Sequence, residues 1–312
     1  MDDRARFDEF ARLATEQRNP RTLDLDTLDV TGILQRISAE DHGVPGAVAR
    51  ELPYIAKAVE LVVASFREGG RLIYVGAGTS GRLGVLDSSE CPPTFGSAPE
   101  MVQGVMAGGH GALVRAVEGA EDRTAEGEEA MAQHRVGPKD TVIGLAASRR
   151  TPFVVAALAK ARALGARTAY VTCTPRSEFK IDVDVAICPE VGPEVVMGST
   201  RMKAGTAQKL VLNMITTAAF VRMGKVYENM MVDLMATSQK LVERSRRTVM
   251  TVTGVDYDTA AEAIAAGGKS VKTAIVMLKL GCTRAEAEQR LAEAGGFVRA
   301  ALEARPAGGA AR

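Results

Sequence analysis

Apolar residues change their spacing along the chain, and each spacing predicts a different kind of structure. Between Thr27 and Glu40, and again between Pro45 and Glu68, they recur at about every third or fourth position, which predicts two helices. Gly69-Gly70 predicts the end of the second helix. Residues 1–20 are polar and rich in arginine, which predicts a loosely held arm.

Short continuous apolar runs follow, separated by amphipathic stretches. The runs predict strands at 72–75, 101–106, 141–146, 168–173 and 183–188, and the stretches between them predict helices at 80–90, 120–134 and 152–164. Continuous runs rich in β-branched residues are typical of parallel strands that are buried on both faces. The middle of the chain is therefore predicted to be a three-layer α/β domain with a mostly parallel five-stranded sheet.

Helical spacing returns after Gly198-Ser199-Thr200 and continues to about Met223. From Leu234 onward no stretch has strand character. Glycines separate short amphipathic segments, which predict helices at 256–266, 270–280, 283–294 and 297–302. This part of the chain predicts a small helical domain, and the tail from Pro306, rich in alanine and glycine, predicts disorder.

Composition and charge exclude several function classes. The chain has 39 Lys+Arg and 38 Asp+Glu, a net charge of +1, which gives no broad attraction to nucleic acid or an anionic membrane. The longest weakly polar run, 210–221, is shorter than the roughly 20 residues that cross a bilayer. The first residues are charged where a secretory signal is apolar, so we expect a cytoplasmic protein. The 4 cysteines and 3 histidines form no cluster that predicts a zinc site.

A glycine-rich segment from Gly76 to Arg82 directly follows a predicted strand and opens a helix. Backbone N–H groups at such a helix start can hold a phosphate or the oxygens of a sugar. Arg82 and Leu83 stand where a nucleotide-binding P-loop has Lys and Ser or Thr, which argues against that site. Glu100 precedes the second strand instead of following it, which argues against a dinucleotide site. A tight turn that binds nothing stays an alternative.

Two further segments place hydroxyls or cations at predicted helix starts. Ser148 and Thr151 either cap the following helix or bind a ligand together with the glycine-rich turn, because loops at the carboxyl ends of parallel strands converge on one crevice. Arg201 and Lys203 lie in the first turn of a later predicted helix, where two cations oppose the helix dipole. Either a bound anion offsets this charge or both side chains extend into solvent.

Three carboxylates are expected near the same crevice. Glu90 lies between a predicted helix end and Pro92-Pro93, a place suited to a positioned side chain, and Glu118 and Glu121 stand around the start of a later helix. An acid–base reaction needs one group that removes a proton and another that delivers one. Glu121 alternatively only stabilises the helix start.

Four longer segments resemble a known family. They resemble the signature segments of the N-acetylmuramic acid 6-phosphate etherases, which belong to the sugar-isomerase (SIS) domain proteins, and they comprise Gly76–Gly84, Asp87–Gly96, Ala116–Arg123 and Gly198–Leu210. The resemblance covers about residues 15–304. Together with the patterns above, it predicts an N-terminal arm with helices (1–57), an SIS phosphosugar domain (58–240), a UBA-like helical domain (241–304) and a disordered tail (305–312).

The resemblance implies an activity without a metal or redox cofactor, carried by a homodimer. Members of the family remove D-lactate from the C3 ether of N-acetylmuramic acid 6-phosphate by elimination and addition of water. N-acetylglucosamine 6-phosphate is left, a step in recycling cell-wall sugars. By position in the matching segments, Glu90 is the expected proton donor. Glu121 is the expected second carboxylate, which we assign as the base for the C2 proton, with Glu118 in reserve.

The same resemblance implies a set of substrate-binding residues at helix starts, which are Gly78, Thr79, Ser80, Ser148, Thr151, Arg201 and Lys203. Ser148 and Thr151 match the phosphate loop of SIS domains, and Arg201 or Lys203 is expected to neutralise a substrate anion such as the lactate carboxylate. Arg149 departs from the family pattern, which usually has glycine there. Arginine at this position either strains the loop by about 1 kcal/mol or adds a cation for phosphate.

Two other functions of this fold stay open. Glucokinase regulatory proteins share the domain and sense phosphosugars without catalysis, but they contain two such domains, and this chain has room for one. The presence of both Glu90 and Glu121 also favours catalysis. A sugar-phosphate isomerase would interconvert ketose and aldose phosphates and release no lactate.

Overall fold

Five short apolar segments pair into one parallel sheet. The structure, a computed structural model, describes residues 13–148, 151–236 and 238–304, together with Arg4 and Ala11. The strands are β1 (Leu72–Gly76), β2 (Val102–Met106), β3 (Thr141–Leu145), β4 (Arg167–Val171) and β5 (Val185–Ile187). Their order is β2-β1-β3-β4-β5, and every residue of β1 and β3 is buried. The predicted five-stranded sheet of an α/β domain is thus confirmed.

The chain divides into two compact units. The first contains the residues up to Ser89 and Glu100–Thr216, and the second contains Glu90–Pro99 and the residues from Thr217 onward. The division falls within two long helices, α4 (Gly78–Phe95) and α7 (Lys203–Arg222). Within the described ranges, no helix combines the length and apolar character that crossing a membrane needs.

Between residue 13 and the first strand, the described chain has three α-helices where the sequence predicts two. They are α1 (Val30–Asp41), α2 (Gly43–Arg50) and α3 (Leu52–Arg67). The predicted helix at 45–68 is divided because Pro53 has no amide hydrogen and its ring clashes with the preceding turn. The carboxylate of Glu51, at the break, accepts a hydrogen bond of 2.7 Å from the backbone N–H of Cys188. This bond fixes the break between α2 and α3 against the end of β5.

The described part of the N-terminal arm is held firmly, so the prediction of a loose arm is wrong for residues 13–20. Asn19 is 3% exposed and donates to the carbonyl of Pro193, and Thr22, just beyond, donates to the carbonyl of Val195. The arm lacks helical or strand spacing, yet its polar side chains donate hydrogen bonds to backbone carbonyls in a loop far along the chain.

Helix α4 is longer than predicted. It continues past Glu90 and includes Pro92-Pro93, so the predicted turn at the proline pair is wrong. In the second unit, the rings of Phe95 and Phe220 stack with 4.6 Å between their centroids, which holds the last turn of the helix. Gly96, with φ 60°, then ends it.

Helices α5 (Thr124–Gln133) and α6 (Pro152–Ala163) pack beside the sheet of the first unit. The second unit is mainly helical, as predicted. It contains a hairpin of β6 (Val226–Tyr227) and β7 (Met230–Met231), and the helices α8 (Gln239–Thr253), α9 (Tyr257–Ala266), α10 (Val271–Leu280), α11 (Arg284–Glu293) and α12 (Val298–Glu303). The side chains of Asp256, Ser270 and Thr283 cap α9, α10 and α11, which confirms their predicted starts. The hairpin and α8 were not predicted.

Candidate active site

Close backbone contacts shape the glycine-rich turn between β1 and α4. A methyl group on Gly81 would lie 2.7 Å from the carbonyl oxygen of Gly76, so both glycines are needed for the tight turn. Gly78 has φ 54°, which side chains disfavour, and nothing lies within 4 Å of the place where its Cβ would stand. Gly76 and Gly81 are therefore structural, whereas Gly78 presents its backbone to open space.

The starts of α4 and α7 meet in the first unit. A methyl group on Gly205 would lie 3.4 Å from the Cγ2 atom of Thr79. The hydroxyl of Ser80 donates a hydrogen bond of 2.8 Å to the Oε1 atom of Gln208. The structure thus places two of the predicted substrate residues, Thr79 and Ser80, against the helix that follows Arg201.

A cavity of about 200 Å³ lies beside the turn and is lined in part by Gly78, Arg82, Glu118 and Glu121. The guanidinium of Arg82 donates to the carbonyls of the loop after β2, which holds one side of the cavity in place. Both carboxylates are exposed. The structure therefore brings the glycine-rich turn and two of the three predicted carboxylates to one cavity.

Glu118 and Glu121 reach this cavity from an irregular segment. The sequence predicted a helix over 120–134, but α5 begins at Thr124 and a short 3-10 turn, Ala120–Asp122, precedes it. Gly119, with φ 68°, separates that turn from Glu118. The two carboxylates consequently do not share one helix face, although they line one cavity.

The loop after β3 carries Ser148 and Thr151, for which the sequence allows either helix capping or ligand binding. For Thr151 the structure argues against capping. Thr151 stands at the N-cap of α6 with Pro152 following, but among the described residues its hydroxyl makes no capping hydrogen bond. Ser148 is half-buried, and its carbonyl accepts a hydrogen bond from the hydroxyl of Tyr170. The Thr151 hydroxyl is thus not used for the cap. Arg149 lies outside the described residues.

The start of α7 is neutralised by a carboxylate of the protein itself. Glu194, 1% exposed, accepts hydrogen bonds of 2.9 Å from the backbone N–H groups of Lys203 and Ala204. Burial raises the pKa of its carboxyl group, and the two N–H bonds oppose that rise. The sequence left either a bound anion or two solvated cations at this helix start, and the structure places the carboxylate of Glu194 there.

A second buried carboxylate holds the Lys203 side chain. The ammonium of Lys203 lies 2.7 Å from the Oε2 atom of Glu40, and the two residues are 1% and 7% exposed. Arg21 also pairs with Glu40. The hydrogen bond from Arg21, and after it the bond from Lys203, lowers the pKa of Glu40 to about 2 against the effect of burial.

The two cations predicted to neutralise a substrate anion lie in different surroundings. Arg201 is exposed, whereas the ammonium of Lys203 is buried and already paired. The prediction that Lys203 contacts the substrate disagrees with this placement, because the side chain contacts Glu40 instead. Lys203 fixes the loop before α7.

Glu90 belongs to the second unit, where it is an exposed residue of α4. The sequence predicted it between a helix end and a turn. The structure instead places it in the continuous part of the helix, about one turn before its end.

Sequence reasoning missed three residues that build this region: Glu40, Glu194 and Gln208. Glu40 stands in an ordinary amphipathic helix and has no local signal. Glu194 follows Gly192-Pro193 in the loop before α7, and an acidic residue before a helix start is a weak cue for a cap. Gln208 stands within a segment that the resemblance singled out, but nothing there distinguishes it from its neighbours.

Two family descriptions match the chain. The glucokinase regulatory protein N-terminal SIS domain matches residues 54–162, and the SIS domain matches residues 117–218. Together with the parallel sheet and the loops at its carboxyl edge, these matches define the class as that of the SIS-domain proteins.

Relatives along nearly the whole chain define the family. A protein of Salinibacter ruber named N-acetylmuramic acid 6-phosphate etherase is 60% identical over 303 residues, which is 97% of each chain. Proteins with the same name from Oceanobacillus iheyensis and Brucella anthropi are 52% and 50% identical; they cover 92% and 98% of this chain and 98% and 100% of their own. The chain belongs to the N-acetylmuramic acid 6-phosphate etherase family.

Proposed function

We propose that the protein is a carbon–oxygen lyase that removes D-lactate from the C3 ether of N-acetylmuramic acid 6-phosphate and leaves N-acetylglucosamine 6-phosphate. The observation that carries this proposal is identity of 50–60% with proteins of that name over nearly the whole chain. The cavity that joins the glycine-rich turn to Glu118 and Glu121 supports it, because it combines backbone donors with carboxylates.

The reaction needs acid–base chemistry alone. When the sugar ring opens, the aldehyde acidifies the hydrogen on C2. A base removes that proton, the C2=C3 double bond forms, and the C3–O bond breaks while an acid protonates the departing lactate oxygen. Water then adds to the unsaturated aldehyde, with hydroxyl at C3 and a proton at C2. The net change is hydrolysis of the ether.

We assign the roles of the carboxylates from their positions in the segments that resemble the family. Glu90 is the proposed proton donor to lactate, and Glu121 is the proposed base for the C2 proton. Glu118 is the reserve for the second role, since it lines the same cavity as Glu121.

Hydroxyls and backbone groups at helix starts are the proposed substrate contacts. Ser148 and Thr151 bind the phosphate, and this role is supported by the Thr151 hydroxyl, which makes no capping hydrogen bond among the described residues. Gly78, Thr79 and Ser80 bind the sugar or its phosphate. Arg201, exposed before α7, pairs with the lactate carboxylate.

The proposal includes a homodimer that works in the cytoplasm without a metal or redox cofactor. The dimer and the independence of a cofactor come from the family resemblance. The dimer is tested by sedimentation of the purified chain, in which a monomeric mass at working concentration would contradict it.

Lactate release from N-acetylmuramic acid 6-phosphate by the purified protein tests the activity. Product formed in D₂O is expected to carry deuterium at C2, because elimination exchanges that proton; retention of hydrogen would indicate direct displacement. A sensor without catalysis binds the phosphosugar and releases no lactate, and an isomerase interconverts ketose and aldose phosphates instead.

A further inference from the structure

Ser80 and Gln208 form a buried hydrogen-bonded pair between the starts of α4 and α7. The hydroxyl of Ser80 donates to the Oε1 atom of Gln208 at 2.8 Å, and the two residues are 7% and 1% exposed. The close approach of Gly205 to Thr79 brings the same two helix starts together. Ser80 has a proposed role at the substrate, but Gln208 has none.

The other end of the Gln208 amide is unpaired. Its Nε2 atom is buried, and in the part of the chain that the structure describes it has no hydrogen-bond acceptor. A buried N–H group without an acceptor is destabilising, and it is rare in folded proteins. Methionine fills a similar volume without this penalty. In the part of the chain that the structure describes, the bond to Ser80 is the hydrogen bond that the Gln208 amide makes.

We infer that Gln208 is a positioning residue, which fixes the direction of the Ser80 hydroxyl at the bound phosphosugar. Because the hydrogen of Ser80 points to Oε1, the Ser80 oxygen presents its lone pairs elsewhere and accepts a hydrogen bond. A sugar hydroxyl or the acetamido N–H supplies such a hydrogen, whereas a phosphate dianion has none. Ser80 consequently binds the sugar, and other groups bind the phosphate. This assignment rests on the proposed function, which supplies the ligand.

The opposite orientation of the amide gives a different chemistry. If Nε2 faced Ser80, the hydroxyl hydrogen would be free to bond a phosphate oxygen. Ser80 would then contribute to phosphate binding. Inorganic phosphate, used as a competitive inhibitor, therefore distinguishes the two orientations.

Gln208→Met tests the inference in the full-length protein. We expect the KM for N-acetylmuramic acid 6-phosphate to rise about tenfold, as for the loss of one hydrogen bond, with kcat within about threefold. The Tm is expected to stay or to rise, because the unpaired N–H is gone. The inhibition constant of inorganic phosphate is expected to change less than about twofold, since the phosphate contacts remain.

Two further variants complete the test. In a Ser80→Ala background, Gln208→Met is expected to add nothing to the KM, because there is no hydroxyl to direct. Gln208→Glu keeps an acceptor oxygen for Ser80 and is expected to hold the KM within about threefold of wild type. The control is Gln289→Met, at an exposed position of α11 with the same change of side chain, which should leave the KM unchanged.

Three results would overturn the inference. They are a lower Tm with an unchanged KM, an equal rise of KM in both backgrounds, and a phosphate inhibition constant that rises in step with KM. If the wild-type protein releases no lactate, the proposed function fails and this inference is still tested. The Kd of N-acetylglucosamine 6-phosphate by calorimetry then replaces the KM in each comparison.

Discussion

The ammonium group of Lys203 lies 2.7 Å from the Oε2 atom of Glu40, although 163 residues separate the two along the chain. The pair joins the end of α1 to the first residue of α7. Because the Lys203 side chain is buried, removal of the Glu40 charge leaves its ammonium without this partner inside the protein, whereas Glu40 without Lys203 would keep Arg21. The pair therefore links the stability of the first unit to the loop that carries Arg201.

Glu40→Gln is expected to lower the free energy of unfolding by about 3 kcal/mol at pH 7. The pKa of Glu40 is about 2 in the folded protein, below its ordinary value of 4.5. A lowered pKa adds stability that is fully present above the ordinary value and is lost as the pH falls toward 2. Urea unfolding at pH 7 and pH 3 measures this, and the difference between wild type and variant is expected to shrink at the lower pH.

Asp24→Asn is the matched control for Glu40→Gln. Asp24 pairs with Arg36 at 2.7 Å, but both side chains are 45% exposed. Exposed pairs contribute about 0–1 kcal/mol, so this variant should unfold close to wild type. An equal loss in the two variants would mean that burial is not what makes the Glu40 pair strong.

Gly81→Ala is expected to destabilise the protein by about 1–3 kcal/mol and to lower lactate release, because its methyl group would lie 2.7 Å from the Gly76 carbonyl oxygen. Thermal unfolding and kcat/KM measure the two effects. Gly43→Ala is the control, since nothing lies within 4 Å of its Cβ position at the start of α2. A Gly81→Ala protein with wild-type stability would show that the turn tolerates a wider shape.

Thr151→Val removes a hydroxyl and keeps the side-chain shape. We expect its free energy of unfolding within about 0.5 kcal/mol of wild type, because no capping bond is lost, and a KM about tenfold higher. Thr283→Val is the comparison, because Thr283 forms a capping box with Glu286 and should lose about 1 kcal/mol with an unchanged KM. A stability loss without a change of KM in Thr151→Val would assign Thr151 to the helix start.

Glu121→Gln is expected to lower kcat by about a hundredfold or more, because an amide cannot accept the C2 proton. Glu118→Gln, at the reserve position in the same cavity, is expected to lower kcat by less than about tenfold. Asp122→Asn is the control, since Asp122 follows Glu121 and is exposed. If Glu118→Gln has the larger effect, the base is Glu118, and wild-type rates in both variants would contradict a base in this cavity.

The sheet and the C-terminal helices could be predicted because their signals are local. Each strand is a continuous apolar run, and Asp256, Ser270 and Thr283 mark helix starts by their own hydrogen bonds. The hairpin at 226–231 gave no signal, since two residues per strand are too few to show alternation. Elements whose ends are marked by nearby residues could thus be predicted from the local sequence alone.

The site could be predicted only as a set of segments. Lys203 looks like a free cation in the sequence, because the Glu40 that pairs with it stands in a distant and unremarkable helix position. The glutamine that holds Ser80 is likewise 128 residues away. Pairings of this kind depend on tertiary packing, and no spacing along one sequence contains them.

Because Glu194 caps the first N–H groups of α7, that helix end offers no binding site to free anions. Free phosphate and sulfate find no vacant donor pair there, because both N–H groups already donate to Glu194. The entropy cost of ordering the loop that carries Arg201 is therefore incurred during folding, before any ligand binds.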